Sequence, residues 1–222
     1  MGKISLNIYI KAALLTALVF IAGIAVGWYL DSQRIVFLQS KIDELQISMS
    51  NLALEESFYK SVDMDRKTLC EIYTSKANEI SVEAGKLGSY LESFKEISKF
   101  NVKEIEILKD KYFVSNLQLW LYMRRLREEC NYSAVTILYF YTSVSKCEDC
   151  MAQGIVLDRL KKENPEKYMI FALDIDSNLG IVKALTKYFN VTSVPTVIIN
   201  EKVKMEGFSS KEKIEEVVKN LL

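Results

Sequence analysis

The sequence predicts an α/β domain, with a central mixed sheet and flanking helices, that follows a transmembrane helix and an all-α stalk. Three observations support this prediction. An uncharged apolar run lies near the start, the middle of the chain keeps a helical period, and the last part alternates between strand-like and helical stretches. The expected domains are residues 1–31 (tail and transmembrane helix), 32–131 (stalk) and 132–222 (α/β domain).

Composition limits the chemistry. The 222 residues include 29 basic and 29 acidic side chains, which argues against a nucleic-acid partner. No histidine is present, which excludes histidine metal ligands, histidine general bases and a cysteine–histidine dyad. Any chemistry therefore depends on cysteine, carboxylate, lysine or tyrosine side chains. Because the chain has only 2 prolines, most of it is free to be helical.

The uncharged run from Ala12 to Leu30 predicts a single transmembrane helix in contact with membrane lipid, because it is long enough to cross about 30 Å of hydrocarbon. Trp28 and Tyr29 suit an interfacial aromatic belt. The alternative is a cleaved signal peptide, whose apolar region is normally shorter, at roughly 7–15 residues. The preceding tail is basic and has no acidic residue, so we expect it on the cytoplasmic side and the carboxyl-terminal domain outside the cytoplasm.

Beyond this run, apolar residues recur at alternating spacings of three and four, the pattern of a heptad seam. The seam consists of Ile35, Leu38, Ile42, Leu45, Met49 and Leu52. It is typical either of a parallel coiled coil between two copies or of one amphipathic helix that packs on its own chain. Gly23 and Gly27, four positions apart in the apolar run, would let two helices approach closely and favour a homodimer.

Two further helices are predicted in the stalk. The first covers about residues 63–100, with Asn101 as its break, and the second covers about 102–129. The stretch "YFVSNLQLWLYM" in the second helix is apolar on more than one face, so we expect it to be buried against the domain that follows.

The carboxyl-terminal part alternates between strands and helices. The predicted order is strand 135–142, helix 147–163, strand 168–174, helix 179–189, strands 196–199 and 203–208, and helix 211–221. Strand–helix–strand units imply a parallel core, which a hairpin and a helix complete. Cys147 and Cys150, in "KCEDC", follow the first strand, so Cys147 lies at a helix N-terminus, where unpaired N–H groups and the helix dipole stabilise a thiolate.

Residues 133–222 resemble a thioredoxin-like domain. The matching features are "TILYFY" before "CEDC", the strand "IFALDID", the stretch "KYFNVTSVPTVII", and "EGFSS" before the last helix. The resemblance implies that Cys147 is the exposed nucleophile and Cys150 the resolving thiol. It also implies a cis peptide bond between Val194 and Pro195, lying against the cysteines, with Gly207 nearby in the groove that receives substrate backbone.

The motif departs from the usual pattern of the family. Glu148 and Asp149 replace its Gly-Pro, and Lys146 replaces the tryptophan that often precedes the motif. Thioredoxins also have a buried aspartate that accepts a proton from the resolving thiol, and its position falls near Tyr139 here. The two carboxylates disfavour a thiolate on the first cysteine, while Lys146 and the helix N-terminus favour it. We expect a reduction potential nearer to that of thioredoxin than to that of a dedicated disulfide donor. The structural alternative is that the acidic pair is simply solvated in a helix's first turn.

Cys70 and Cys130 lie outside the motif and have three interpretations: a structural disulfide between stalk and domain, two buried thiols, or bonds between subunits. A four-cysteine zinc site is not expected, because a second CxxC is absent and about eight strand residues at 3.3 Å separate Cys130 from Cys147. We expect neither a metal nor an organic cofactor.

Two functional hypotheses follow. The first is a membrane-anchored thiol–disulfide oxidoreductase that exchanges disulfides with protein substrates; the direction of electron flow is left open. The second is a membrane-anchored binding or scaffold protein, in which the thioredoxin-like module is redox-inactive and "CEDC" forms a static bridge.

Overall fold

A computed structural model describes residues 6–62, 64–97, 102–143 and 145–221. The helices are α1 (Leu6–Ser61), α2 (Arg66–Ile97), α3 (Val102–Cys130), α4 (Glu148–Glu163), α5 (Gly180–Tyr188) and α6 (Lys211–Leu221). The strands are β1 (Val135–Tyr141), β2 (Tyr168–Asp174), β3 (Thr196–Ile199) and β4 (Val203–Glu206). The predicted fold class is confirmed, and from α2 onward the element ends differ from the predictions by at most three residues. The expected break at Asn101 lies outside the described residues.

Helix α1 is continuous over 56 residues, so the expected boundary at position 31 is not a break in the helix. Its amino-terminal part is long and apolar enough to cross a membrane, and none of its most apolar window is covered by other described parts of the chain. Gly23 and Gly27 lie on this uncovered part, with open space around each. The homodimer that they favour stays a prediction.

The second half of α1 packs against α2 and α3 to form a helical bundle. Leu38, Ile42, Leu45, Met49 and Leu52 are all buried in it. The heptad seam is thus covered by helices of the same chain, as the alternative of a single amphipathic helix predicts. A coiled coil between two copies would need this surface to be open, and the bundle closes it.

The sheet has the strand order β2-β1-β3-β4. Strand β1 is parallel to β2 and antiparallel to β3, and β4 is antiparallel to β3, so the sheet is mixed as predicted. Side chains on β1 alternate between two cores. Ile137 and Tyr139 pack with α4 and α6, whereas Leu138 and Phe140 share a core with α5 and the bundle.

Helix α3 joins the bundle to the sheet. Trp120 is 3% exposed, and its indole Nε1 donates to Glu201 at 2.7 Å. The guanidinium of Arg127 donates to Thr136 at 2.8 Å and to Asn200 at 2.7 Å, and it forms an ion pair with Glu201. The predicted burial of the aromatic stretch of α3 is confirmed for most of its apolar side chains, which lie in a core shared with the bundle and the sheet, whereas Val114 and Leu121 are exposed.

Candidate functional site

The cysteine pair lies where β1 passes into α4. Cys147 is the N-cap of α4, and its Sγ accepts a hydrogen bond from the backbone N–H of Cys150 at 3.1 Å. A disulfide joins the two residues, whose Cα atoms are 5.3 Å apart. Cys147 is partly exposed, whereas Cys150 is only 3% exposed. Helix geometry therefore makes the two sulfurs unequal, because the first lies at the surface and the second lies beneath it.

The segment around Pro195 lies against this pair. The Val194–Pro195 peptide bond is cis, and the carbonyl oxygen of Val194 is 3.8 Å from Cys147 Sγ. The backbone N–H of Gly207 donates to the carbonyl of Pro195 at 2.8 Å. Gly207 has a φ of +74°, in the left-handed region that favours glycine. The fold therefore brings three stretches that are distant in sequence, the cysteine pair, Val194–Pro195 and Gly207, to one end of the sheet.

Lys146 has an acidic partner that the sequence analysis missed. Its Nζ donates to the Asp176 carboxylate at 2.8 Å, and Thr142 Oγ1 donates to the same oxygen at 2.5 Å. The hydrogen bond to Asp176 raises the pKa of the Lys146 ammonium. The hydrogen bond from Lys146, followed by that from Thr142, lowers the pKa of Asp176. The lysine charge is thus paired with a carboxylate, which reduces the support that it gives to a thiolate on Cys147.

A sequence signal for Asp176 exists. Strands β1 and β2 are parallel neighbours, and Tyr141 pairs with Asp174 at their carboxyl ends. An acidic residue just after β2 therefore lies beside the loop that follows β1. The "DID" that ends the second strand would have placed a carboxylate next to Lys146.

Glu148 and Asp149 lie in the first turn of α4, and both are exposed. Their charges favour the helix N-terminus whether or not they act on chemistry. Their effect on the thiolate of Cys147 stays a prediction.

Two buried polar side chains support the site from behind. The hydroxyl of Tyr139 donates to the carbonyl of Cys150, so an aromatic hydroxyl lies where the resemblance expects a carboxylate. Gln153 is fully buried, and its Oε1 accepts from the backbone N–H of Ser209 at 2.7 Å. This bond fixes the segment after Gly207 against α4. Sequence reasoning missed Gln153, although its position one turn after Cys150 on the apolar face of α4 was a signal.

The other two cysteines are remote from this site. Cys70 and Cys130 form a disulfide with Cα atoms 5.5 Å apart, between the start of α2 and the end of α3. Cys130 precedes β1 and Cys147 follows it, so the two disulfides lie at opposite ends of the sheet. Of the three interpretations, this geometry matches the intrachain bridge.

Comparison with known proteins characterises the carboxyl-terminal segment. A family model described as a thioredoxin domain matches residues 141–219, which include both cysteines of the motif, Pro195 and Gly207. The carboxyl-terminal part of the chain is a thioredoxin-like domain. No curated protein matches the chain.

Several solved structures resemble this domain. One is thioredoxin-2 of a malaria parasite, described as a component of its protein secretion machinery; it is 26% identical, with a TM-score of 0.34, over 39% of this chain and 82% of that one. A second malarial protein is 27% identical, with a TM-score of 0.35, over 40% of this chain and 98% of that one. Chloroplastic thioredoxin z is 18% identical, with a TM-score of 0.35, over 45% and 88% of the two chains.

Proposed function

We propose that the protein is a membrane-anchored thiol–disulfide oxidoreductase that acts on protein substrates through Cys147 and Cys150. The observation that carries this proposal is the arrangement around Cys147. Its partly exposed sulfur caps α4, lies 3.8 Å from the carbonyl before a cis proline and has a buried cysteine as its partner. A thiol at a helix N-terminus forms a thiolate more readily than a free cysteine, and the thiolate is the attacking species.

The exchange proceeds in two balanced steps. In the reducing direction, the Cys147 thiolate attacks one sulfur of a substrate disulfide; that bond breaks, a mixed disulfide forms, and the other substrate sulfur leaves and takes up a proton. The Cys150 thiolate then attacks Cys147 Sγ, which releases the second substrate thiol. Two electrons pass from the cysteine pair to the substrate, and the reverse sequence oxidises a dithiol. No organic cofactor is needed.

Other groups of the site position the substrate. The Val194 backbone beside Cys147 is suited to pair with an extended substrate segment, in the way that the resemblance implies. Gly207 has no side chain, so it leaves the adjacent surface open. Cys150 is too buried to meet a large substrate and is restricted to the second step.

The long apolar part of α1 supports the anchor, with the basic tail in the cytoplasm and the thioredoxin-like domain outside it. A membrane-impermeant maleimide applied to intact cells tests this orientation. After mild reduction, Cys147 should be labelled without cell lysis. Labelling that requires lysis would place the domain in the cytoplasm.

Activity is tested on the full chain purified in detergent. We expect it to accelerate the reduction of insulin by dithiothreitol, Cys147→Ser to abolish the acceleration, and Cys150→Ser to accumulate a mixed disulfide with insulin. Cys70→Ser/Cys130→Ser is the control, because it removes the disulfide that lies away from the site and should retain the acceleration. A wild-type protein no faster than dithiothreitol alone would refute the proposal.

One observation favours the scaffold alternative: the group against Cys150 is the Tyr139 hydroxyl rather than a carboxylate that accepts a proton from the resolving thiol. Alkylation separates the two functions. After mild reduction, an exchange-active pair should react with iodoacetamide selectively at Cys147. A static bridge should resist mild reduction, so that neither cysteine is alkylated.

A further inference from the structure

The direction of the bundle helices relative to the apolar run follows from two ion pairs. Asp43 on α1 pairs with Lys111 on α3 at 3.1 Å, and Glu56 on α1 pairs with Arg125 further along α3. Both helices therefore run in the same direction. The start of α3 lies at the end of the bundle nearest the apolar run, and its carboxyl end, held to α2 by the Cys70–Cys130 disulfide, lies at the far end.

The sheet runs in the opposite direction to α3. Arg127, near the far end of α3, donates to Thr136 at the start of β1. Lys109 lies about 27 Å from Arg127 along α3, at 1.5 Å per residue, and is nearer the apolar run. Its Nζ pairs at 3.3 Å with Asp174 at the end of β2. Because β1 and β2 are parallel, the carboxyl ends of both strands face the apolar run. Cys147 follows β1 at this same edge.

The height of the site above the membrane can be measured along α1. Leu30 ends the uncharged run, and Asp43 lies about 20 Å beyond it on the helix. Lys109 is about 3 Å closer to the apolar run than Lys111, the partner of Asp43. The end of β2 is therefore about 17 Å above Leu30. The cysteine loop extends from this edge toward the bilayer. The headgroup layer occupies about 5–7 Å of the remaining space.

The domain is fixed in this pose. Side chains of α1, α2, α3, β1 and α5 belong to one continuous core, and only residues 131–134 separate α3 from β1. Cys147 therefore does not swing away on a flexible linker. A folded domain of 100 residues, with a radius of gyration of about 13 Å, is wider than the space between site and bilayer.

We infer that the thioredoxin-like domain presents Cys147 to the membrane surface, and that its exchange partner is a membrane-embedded protein with a disulfide or dithiol at that surface. This inference rests on the proposed exchange activity and anchor and adds the class of partner. It holds for either orientation of the anchor, because the bundle fixes the site relative to Leu30 and not relative to a cellular compartment.

A lipid-bound disulfide tests the geometry without the partner. The full chain is reduced and reconstituted in phosphatidylcholine vesicles with a small fraction of phosphatidylethanolamine whose headgroup carries a pyridyl disulfide. The Cys147 thiolate attacks the lipid-side sulfur, the bond to the pyridyl sulfur breaks, and pyridine-thione leaves with a measurable absorbance. Cys150 then attacks Cys147 Sγ and releases the lipid thiol, so two protein thiols are oxidised as one disulfide is reduced.

The decisive variant raises the site. Fourteen helix-forming residues inserted between Leu30 and Asp31 lengthen α1 by about 21 Å, ahead of the first fully buried seam residue, Leu38, so the bundle is unchanged. Soluble dipyridyl disulfide is the matched probe for intact chemistry, and Cys147→Ser is the blank. We expect the insertion to slow the lipid-bound reaction about tenfold or more, because the tether no longer spans the gap, and to leave the soluble reaction unchanged. A polyethylene glycol spacer in the lipid probe should restore the rate.

The outcomes separate this inference from the proposed function. Equal rates with the lipid-bound probe for wild type and insertion, or a wild type that needs the spacer, would overturn the membrane-facing site while leaving the exchange activity intact. A wild type inert toward the soluble probe would refute the exchange activity and this inference with it.

Discussion

The disulfide between Cys70 and Cys130 gives the most quantitative prediction. It closes a sequence separation of 60 residues, and a crosslink of that length removes chain entropy from the unfolded state worth about 4 kcal/mol at 25 °C. Replacing both cysteines with serine should therefore lower the free energy of unfolding of the bundle and the docked domain by about that amount. The loss should fall on stability rather than on chemistry, because the bridge lies at the opposite end of the sheet from Cys147.

Trp120 provides the assay. It is 3% exposed at the junction of bundle and sheet, so its fluorescence reports loss of that packing. Guanidinium unfolding of the full chain in detergent is followed in a Trp28→Phe background, where Trp120 is the sole indole. Cys147→Ser/Cys150→Ser is included in that background so that reductant acts on one disulfide only. This background, with the Cys70–Cys130 disulfide intact, is the parent. The unfolding midpoint should fall when Cys70→Ser/Cys130→Ser is added to the parent, and by an equal amount when the parent itself is reduced.

Reductant is the internal control, because it should not change the unfolding midpoint of the variant that also carries Cys70→Ser/Cys130→Ser. A change below about 1 kcal/mol in the parent on reduction would contradict the chain-entropy argument. It would mean that the helices already hold these two ends together in the unfolded ensemble, or that the bond does not form.

Three further predictions concern charge. Glu148→Gln/Asp149→Asn removes two negative charges that oppose the Cys147 thiolate, so the reduced form is stabilised and the reduction potential of the pair should rise by about 20 mV in glutathione equilibration. A fall in the reduction potential would refute the direction assigned to these charges. Arg127→Met removes the cationic partner of the Glu201 carboxylate and the guanidinium donors to Thr136 and Asn200, and should cost about 2 kcal/mol in denaturant unfolding, whereas an unchanged midpoint would show that the network adds nothing. Because the pKa of Asp176 is lowered from 3.8, its pairing with Lys146 stabilises the fold above that pH and is lost as pH falls through the lowered value. Lys146→Met should therefore reduce the melting temperature at pH 7 and converge with wild type once the pH has fallen below the lowered pKa, and a constant difference would contradict the linkage.

Local patterns were sufficient for the elements and for the cysteine motif. Cys147 at a helix N-terminus followed from an apolar strand, a CxxC and a helical period, all within about thirty residues. The Val-Pro-Thr stretch and Gly207 could be placed beside it only through the resemblance, because nothing local to those residues points to a cysteine some fifty positions away. Asp176 and Gln153 were missed, since each acts through a partner on another element.

The sequence by itself determined the anchor-like run, the helical stalk, the thioredoxin-like domain and the CEDC pair, because each is written in periodicity or in a short motif. Only the tertiary structure decided what covers the heptad seam, which way the sheet runs along α3 and which charge meets Lys146. An apolar seam is satisfied by any apolar surface of the right shape, so its periodicity does not reveal its partner. Long-range packing selects one arrangement, and that choice sets the distance between Cys147 and the apolar run of α1.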